Sequence, residues 1–104
     1  MQTLKEILHS AKTSLEYGIL YLPSNQKWDL ETKGLIIDVN SLDFSEVDEE
    51  DEPLIAKEHN LEEILESACL EDIVSFASGV KTNPSDEFLL ESFLYYFKND
   101  GFLQ

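Results

Sequence analysis

Seven of the eleven residues from Asp43 to Pro53 carry a carboxylate, and no other stretch of this chain has so high a density of functional groups. The acids are Asp43, Glu46, Asp48, Glu49, Glu50, Asp51 and Glu52. Carboxylates at this density can bind a cation, exchange protons or attract a basic surface. The stretch carries too much like charge for a buried element, so we expect an exposed acidic loop at 43–53.

Metal binding and catalysis match this spacing poorly. An EF-hand loop needs a central glycine, which residues 43–53 lack, although an irregular, weak calcium site stays open. His59 is followed by Glu63 at the position where a zinc motif needs a second histidine. Cys69 has no second cysteine to pair with and lies in an apolar run typical of a small core residue. We therefore predict no catalytic residue, no metal site and no cofactor.

The overall charge points to a basic partner. The chain has 22 acidic and 7 basic residues, a formal net charge of -15, and every base is a lysine. Arginine, whose planar fork grips phosphate, is missing, which argues against nucleic-acid, nucleotide and anionic-membrane binding. We expect Glu62, Glu63 and Glu66, which follow the loop, to join its acids in the partner-binding surface.

The elements that position these acids are indicated by apolar spacing. Thr3 and Glu6 form a capping-box pattern ahead of a helical apolar stripe, which predicts a helix at 4–14. Short apolar runs at 19–22 and 35–39 predict two strands that pair in a small antiparallel sheet. Trp28 lies between them, where we expect it to close the edge of the core rather than to stack on a ligand.

The second half of the chain predicts three helices. Asn60 and Glu63 are spaced as a capping signal, and apolar residues at helical spacing favour helices at 61–67 and 70–78, with one bent helix as the alternative. A strongly apolar stretch at 85–98 predicts a last helix that is central to the core. The order indicates an α+β fold, a small sheet packed against about four helices.

Length and composition indicate one domain, 1–104, without a leader or a membrane span, which we expect to work in the reducing cytoplasm. The aromatic residues of the last helix can complete either the core of a monomer or the interface of a homodimer, and the sequence leaves both open.

Several stretches together resemble a family of small, acidic bacterial proteins in which no catalytic or binding residues are defined. The resemblance runs over nearly the whole chain and is carried by Leu20 to Pro23 with Trp28, by Asp48 to Pro53, by Leu70 to Val74, and by Phe93 to Phe102. It therefore transfers no site residue to this sequence.

In type, the small size, the acidity and the lack of catalytic motifs also resemble immunity proteins of polymorphic-toxin and contact-dependent growth-inhibition systems. This resemblance implies that the acidic surface binds and neutralises a basic toxin domain, with a nuclease as the expected target. The alternatives are a DNA mimic that inhibits a defence or restriction enzyme and a general protein-interaction module.

Overall fold

The computed structural model describes residues 1–11, 18–24, 26–99 and 101. Within these residues, four strands and four α-helices follow one another in sequence. The strands are β1 (Gln2–Thr3), β2 (Ile19–Pro23), β3 (Lys33–Ile37) and β4 (Leu61–Glu66), and the helices are α1 (Leu4–His9), α2 (Leu54–Glu58), α3 (Ser67–Val80) and α4 (Asp86–Asn99). Two short 3-10 helices, Val39–Ser41 and Phe44–Glu46, lie between β3 and α2.

The strands form one antiparallel sheet in the order β1-β3-β2-β4, so the fold is α+β as predicted. The expected pairing of β2 with β3 is confirmed, with Leu20 opposite Ile36 and Tyr21 opposite Leu35. Residues that lie opposite each other in an antiparallel pair point to the same face of the sheet. Leu20 and Ile36 therefore share one face, and Tyr21 and Leu35 share the other.

The two faces of the sheet support two separate cores. Leu20 and Leu22 pack with α1, α3 and α4 on the helical face. Tyr21 and Ile37 pack with Ala56 of α2 and with Leu61 on the opposite face. The sheet thus separates the long helices from α2 and from the acidic segment that precedes it.

The helices on the helical face are stabilised by apolar stripes and by helix caps that the sequence predicts. Thr3 and Glu6 form the expected reciprocal cap: the Glu6 amide donates to Thr3 Oγ1 at 3.2 Å, and the Thr3 amide donates to Glu6 Oε1 at 3.0 Å. The Ser85 hydroxyl accepts the Phe88 amide at 3.1 Å and caps α4. The predicted helices at 70–78 and 85–98 are confirmed as α3 and α4.

Trp28 closes one edge of this core, as expected. Its ring meets Phe93 and Phe97 of α4, with ring centroids 6.0 Å and 4.9 Å away. Its indole Nε1 donates a hydrogen bond of 2.8 Å to the Pro23 carbonyl, so the polar end of the ring is satisfied inside the protein.

The helix predicted at 61–67 is wrong, because Leu61–Glu66 is the edge strand β4 and α3 begins at Ser67. Leu20 pairs with Leu65 and Tyr21 pairs with Glu63, so Ile64 is the extra residue of a β-bulge. The bulge replaces strict alternation with apolar residues at 61, 64 and 65, which is also the spacing of a helical stripe. Asn60 has a φ of 55° in the turn before β4 and caps no helix.

Four further features differ from the sequence prediction. The strand predicted at 35–39 is β3, which spans Lys33–Ile37 and is followed by the 3-10 helix Val39–Ser41. Helix α1 ends at His9 rather than at residue 14, with Ser10 as its C-cap, and residues 12–14 of the prediction lie outside the described residues. Strand β1 and helix α2 were not predicted, since two and five residues are too short to show a period. No helix in the described part of the chain combines the length and apolar character that a membrane span requires.

Candidate partner-binding surface

The acidic segment, residues 43–53, is a folded surface element built from two tight turns. Its first half is the 3-10 helix Phe44–Glu46, whose ends are tied because the Glu46 amide donates to the Asp43 carbonyl at 2.9 Å. Its second half closes on itself, because Val47 and Pro53 form an isolated β-bridge and the Asp48 amide donates to the Glu52 carbonyl at 2.9 Å. Local backbone hydrogen bonds therefore fix how the acids are presented.

One of the seven predicted acids holds the segment together from inside. Oxygen Oδ1 of Asp48 accepts the amides of Glu50 and Glu52 at 2.8 Å and 2.9 Å. Oxygen Oδ2 of Asp48 is buried and pairs with the ammonium of Lys57 on α2. The Asp48 carboxylate therefore anchors the acidic segment to α2, whereas the other six acids are exposed.

The titration of the anchoring pair follows from these contacts. The Lys57 ammonium, followed by the Glu52 amide, lowers the pKa of Asp48 below its ordinary value. The Asp48 carboxylate in turn raises the pKa of Lys57. Both shifts favour the charged forms, so the pair is ionised across the neutral range.

An exposed aromatic ring stands beside the acids. The Phe44 side chain is 95% exposed, although an aromatic residue gains stability from burial. Phe44 and the tip of the second turn line one open concavity of about 710 Å³. The other residues of this concavity, named here the acidic groove, are Val47, Asp48, Glu49, Glu50, Asp51 and Lys57.

The acidic groove has the components that recognise a basic side chain. A lysine or arginine of a partner can lie over the face of the Phe44 ring as a cation–π pair. The same cation can form charge-assisted hydrogen bonds with the exposed tip acids Glu49, Glu50 and Asp51. Recognition of this kind needs no metal and no proton transfer.

A second concavity of about 580 Å³ adjoins the first turn of the acidic segment. Leu35, Ile37 and Leu42 contribute apolar walls, and Leu54 and Ile55 of α2 lie at its opening, 40% and 44% exposed. Glu46 and Glu58 also line it, so this surface combines apolar area with negative charge. Aliphatic side chains of a basic partner would fit such a surface beside the acidic groove.

The three glutamates predicted to join the acids lie on strand β4, not on a helix. All three are exposed, but the strand distributes them between the two faces of the sheet. Glu63 pairs with Tyr21 and Glu66 pairs with Ile19, which places both on the face of the acidic segment. Glu62 pairs with Leu22, whose side chain packs in the helical core, so Glu62 lies on the opposite face.

The sequence analysis missed Phe44, Lys57 and the exposed apolar pair Leu54 and Ile55. Phe44 had a recognisable signal, because a lone aromatic residue amid carboxylates has no core position to fill. Lys57 also had one, since it is the first base after the seven acids. Their arrangement depends on how the two turns and α2 pack, which spacing alone does not give.

The other residues weighed for chemistry stand apart from this surface. His59 is the exposed C-cap of α2, and Cys69 is half-buried on α3. Within residues 1–11, 18–24, 26–99 and 101, no three histidine, cysteine or acidic side chains are arranged to hold a metal ion.

Comparison with known proteins places the chain by family. Neither the curated proteins nor the solved structures compared with it contain a match. A family model does match, over residues 1–104, and its description is Domain of unknown function (DUF7716). The protein therefore belongs to the DUF7716 family.

Proposed function

We propose that this protein is an immunity protein, which binds a basic toxin domain through the acidic segment and neutralises it in the cytoplasm. The observation that carries the proposal is the acidic groove, where a 95% exposed Phe44 stands beside the tip acids Glu49, Glu50 and Asp51. In the isolated protein this arrangement is unfavourable, since the ring is unburied and the like charges repel.

The acids and the ring have different roles in the proposed complex. Exposed carboxylates attract a basic domain over a distance and raise the association rate, an effect that salt screens. The Phe44 ring acts after contact, because an aromatic anchor surrounded by polar residues limits the dissociation rate. A nuclease is the expected target, since its substrate-binding surface is basic and the carboxylates of this protein would occupy the positions of the phosphates.

The two roles can be tested separately with variants that spare the Asp48 anchor. The toxin domain to test would be the variable C-terminal domain of a large secreted protein encoded by the adjacent gene. The purified domain would be mixed with this protein in a stopped-flow instrument. Neutralising the tip with Glu49→Gln, Glu50→Gln and Asp51→Asn is expected to slow association about tenfold and to flatten its salt dependence. Phe44→Ala is expected to accelerate dissociation about tenfold with little change in association.

A matched control removes the same charge elsewhere. Glu31, Glu71 and Asp72 are exposed and line neither concavity beside the acidic segment, so Glu31→Gln, Glu71→Gln and Asp72→Asn should leave both rates nearly unchanged. Equal slowing by the two triple variants would show that net charge acts without this surface. A wild-type protein that binds the toxin domain but leaves it active would contradict the immunity role.

A further inference from the structure

The outer face of α4 carries apolar residues that the core covers only in part. The inner face of this helix buries Phe88, Leu89 and Phe93. On the side that faces away from the core, Leu90 and Leu94, four residues apart, form a short apolar stripe together with Tyr95. Leu90 and Leu94 pack partly against the core and are half-buried, and Tyr95 is 41% exposed.

Charged residues of opposite sign lie at opposite ends of this stripe. Glu87 and Glu91 lie toward the N-terminal end of the helix, and Lys98 lies at its C-terminal end. An open concavity of about 510 Å³ is lined by Glu87, Leu90, Glu91, Leu94, Tyr95, Lys98 and Asn99, so these residues share one face. The face, named here the α4 outer face, therefore carries negative charge in its N-terminal half and positive charge at its C-terminal end, with Leu94 and Tyr95 between them.

We propose that two copies of this chain associate through the α4 outer face in an antiparallel, two-fold symmetric pair centred on Leu94. In that arrangement the stripe of each helix covers the stripe of the other. The Lys98 ammonium of each copy lies beside the Glu91 and Glu87 carboxylates of its partner, because antiparallel pairing brings opposite ends of the helix together. One interface thus contains each favourable charge contact twice.

The charge order selects a second copy over other occupants. A uniformly basic partner would be attracted by Glu87 and Glu91 but repelled by Lys98, and an acidic partner would meet the reverse. A face with both signs at opposite ends is complementary to its own antiparallel copy. The pair leaves the acidic segment free, since α4 and α2 pack on opposite faces of the sheet.

The pair is expected to be weak and to be strengthened by moderate salt. Each copy carries a formal net charge of -15, so the two repel at long range, and salt screens that repulsion. Binding of the basic toxin domain has the opposite salt dependence. This inference is independent of the proposed function, and a salt series therefore shows which of the two associations is present.

The decisive test uses two charge reversals, Glu91→Lys and Lys98→Glu, in the full chain. Sedimentation at protein concentrations up to about 1 mM detects dimers whose dissociation constant is as high as about 1 mM. Wild-type protein is expected to form dimers, and each reversal alone to weaken them about tenfold, because two contacts become repulsive. An equimolar mixture of the two variants is expected to form heterodimers that recover most of the wild-type affinity, since both contacts between positions 91 and 98 are again between opposite charges.

Controls on other surfaces keep the interpretation specific. Glu58→Lys on α2 and Lys33→Glu on β3 change the net charge by the same amounts at exposed positions outside this face. Mixing this second pair is expected to give no preference for heterodimers. A wild-type protein that is monomeric at about 1 mM would overturn the proposal. So would a mixture of Glu91→Lys and Lys98→Glu that associates no better than either variant alone.

Discussion

Asp48 and Glu49 are neighbouring acids in the same segment, but they make different contributions. Asp48 accepts two backbone amides and pairs with Lys57, whereas Glu49 is exposed at the tip. An internal acceptor fixes the turn, and an exposed acid provides charge for recognition. Both residues carry a carboxylate, so their different roles follow from the fold rather than from their chemistry.

Removing the anchor should open the second turn. In Asp48→Ala the amides of Glu50 and Glu52 lose their acceptor and Lys57 loses its partner. We expect these two amides to exchange with solvent deuterium at least about tenfold faster, because the local opening becomes easier. Hydrogen exchange followed by NMR measures this directly. Glu49→Ala removes the same charge and should leave the two exchange rates unchanged, so equal effects would contradict the anchoring role.

Sequence reasoning at this scale identified the exposed acids but not the anchor. A count of carboxylates predicts a solvated segment, and six of the seven acids are exposed as that count implies. It cannot single out Asp48, because that role requires the Glu50 and Glu52 amides to converge and α2 to present Lys57. Phe44 could have been recognised as an exposed ring from its acidic neighbours, but its position beside Lys57 and the tip acids depends on how the two turns and α2 pack.

Among the elements, the central strands and the long helices were predictable and the edge elements were not. Strands β2 and β3 and helices α3 and α4 contain apolar runs or stripes with clear stops, so local pattern and tertiary packing agree. In β4 the bulge at Ile64 produces a helical spacing, and its strand character comes from pairing with β2. Pairing with β2 therefore determines that residues 61–66 form a strand, although their local pattern also fits a helix.

Close packing of β2 against β3 should make Gly34 intolerant of a side chain. A Cβ atom at Gly34 would lie 2.7 Å from the Tyr21 carbonyl oxygen and 2.6 Å from Leu22 Cδ2. Because backbone must shift to make room, we expect Gly34→Ala to reduce the free energy of unfolding by about 2 kcal/mol. Urea titration of the purified variant measures the change.

Gly79 provides the matched control for this substitution. It lies in helix α3, and a Cβ atom there would meet nothing within 4 Å. Gly79→Ala should therefore raise the free energy of unfolding by about 0.5 kcal/mol, because alanine loses less conformational entropy in a helix. Two variants of equal stability would mean that the close approach of β2 and β3 does not limit position 34.

For the whole molecule, the lowered pKa values of two acids predict how the free energy of unfolding depends on pH. Thr3, mainly through its backbone amide, lowers the pKa of Glu6, as Lys57 does that of Asp48. A lowered pKa contributes stability that is complete above the ordinary values, 4.5 for Glu6 and 3.8 for Asp48. That contribution is lost as the pH falls through the lowered pKa values.

Thermal unfolding between pH 7 and pH 2 tests this dependence. We expect the melting temperature to fall most steeply below about pH 4, after both contributions begin to disappear. The double variant Glu6→Gln and Asp48→Asn should melt at a lower temperature than wild type at pH 7 and should approach it at pH 2. A constant difference between the two proteins across this range would contradict the assigned causes.

The position of Trp28 has an optical consequence. It is the chain's single tryptophan, and it packs against Phe93 and Phe97 on the helical side of the sheet. Phe44 and the tip acids lie with α2 on the opposite side. Intrinsic tryptophan emission should therefore report on unfolding of the core and on events at the α4 outer face. It should give no signal when the acidic segment is occupied, so a dye attached near Phe44 is needed to observe binding there.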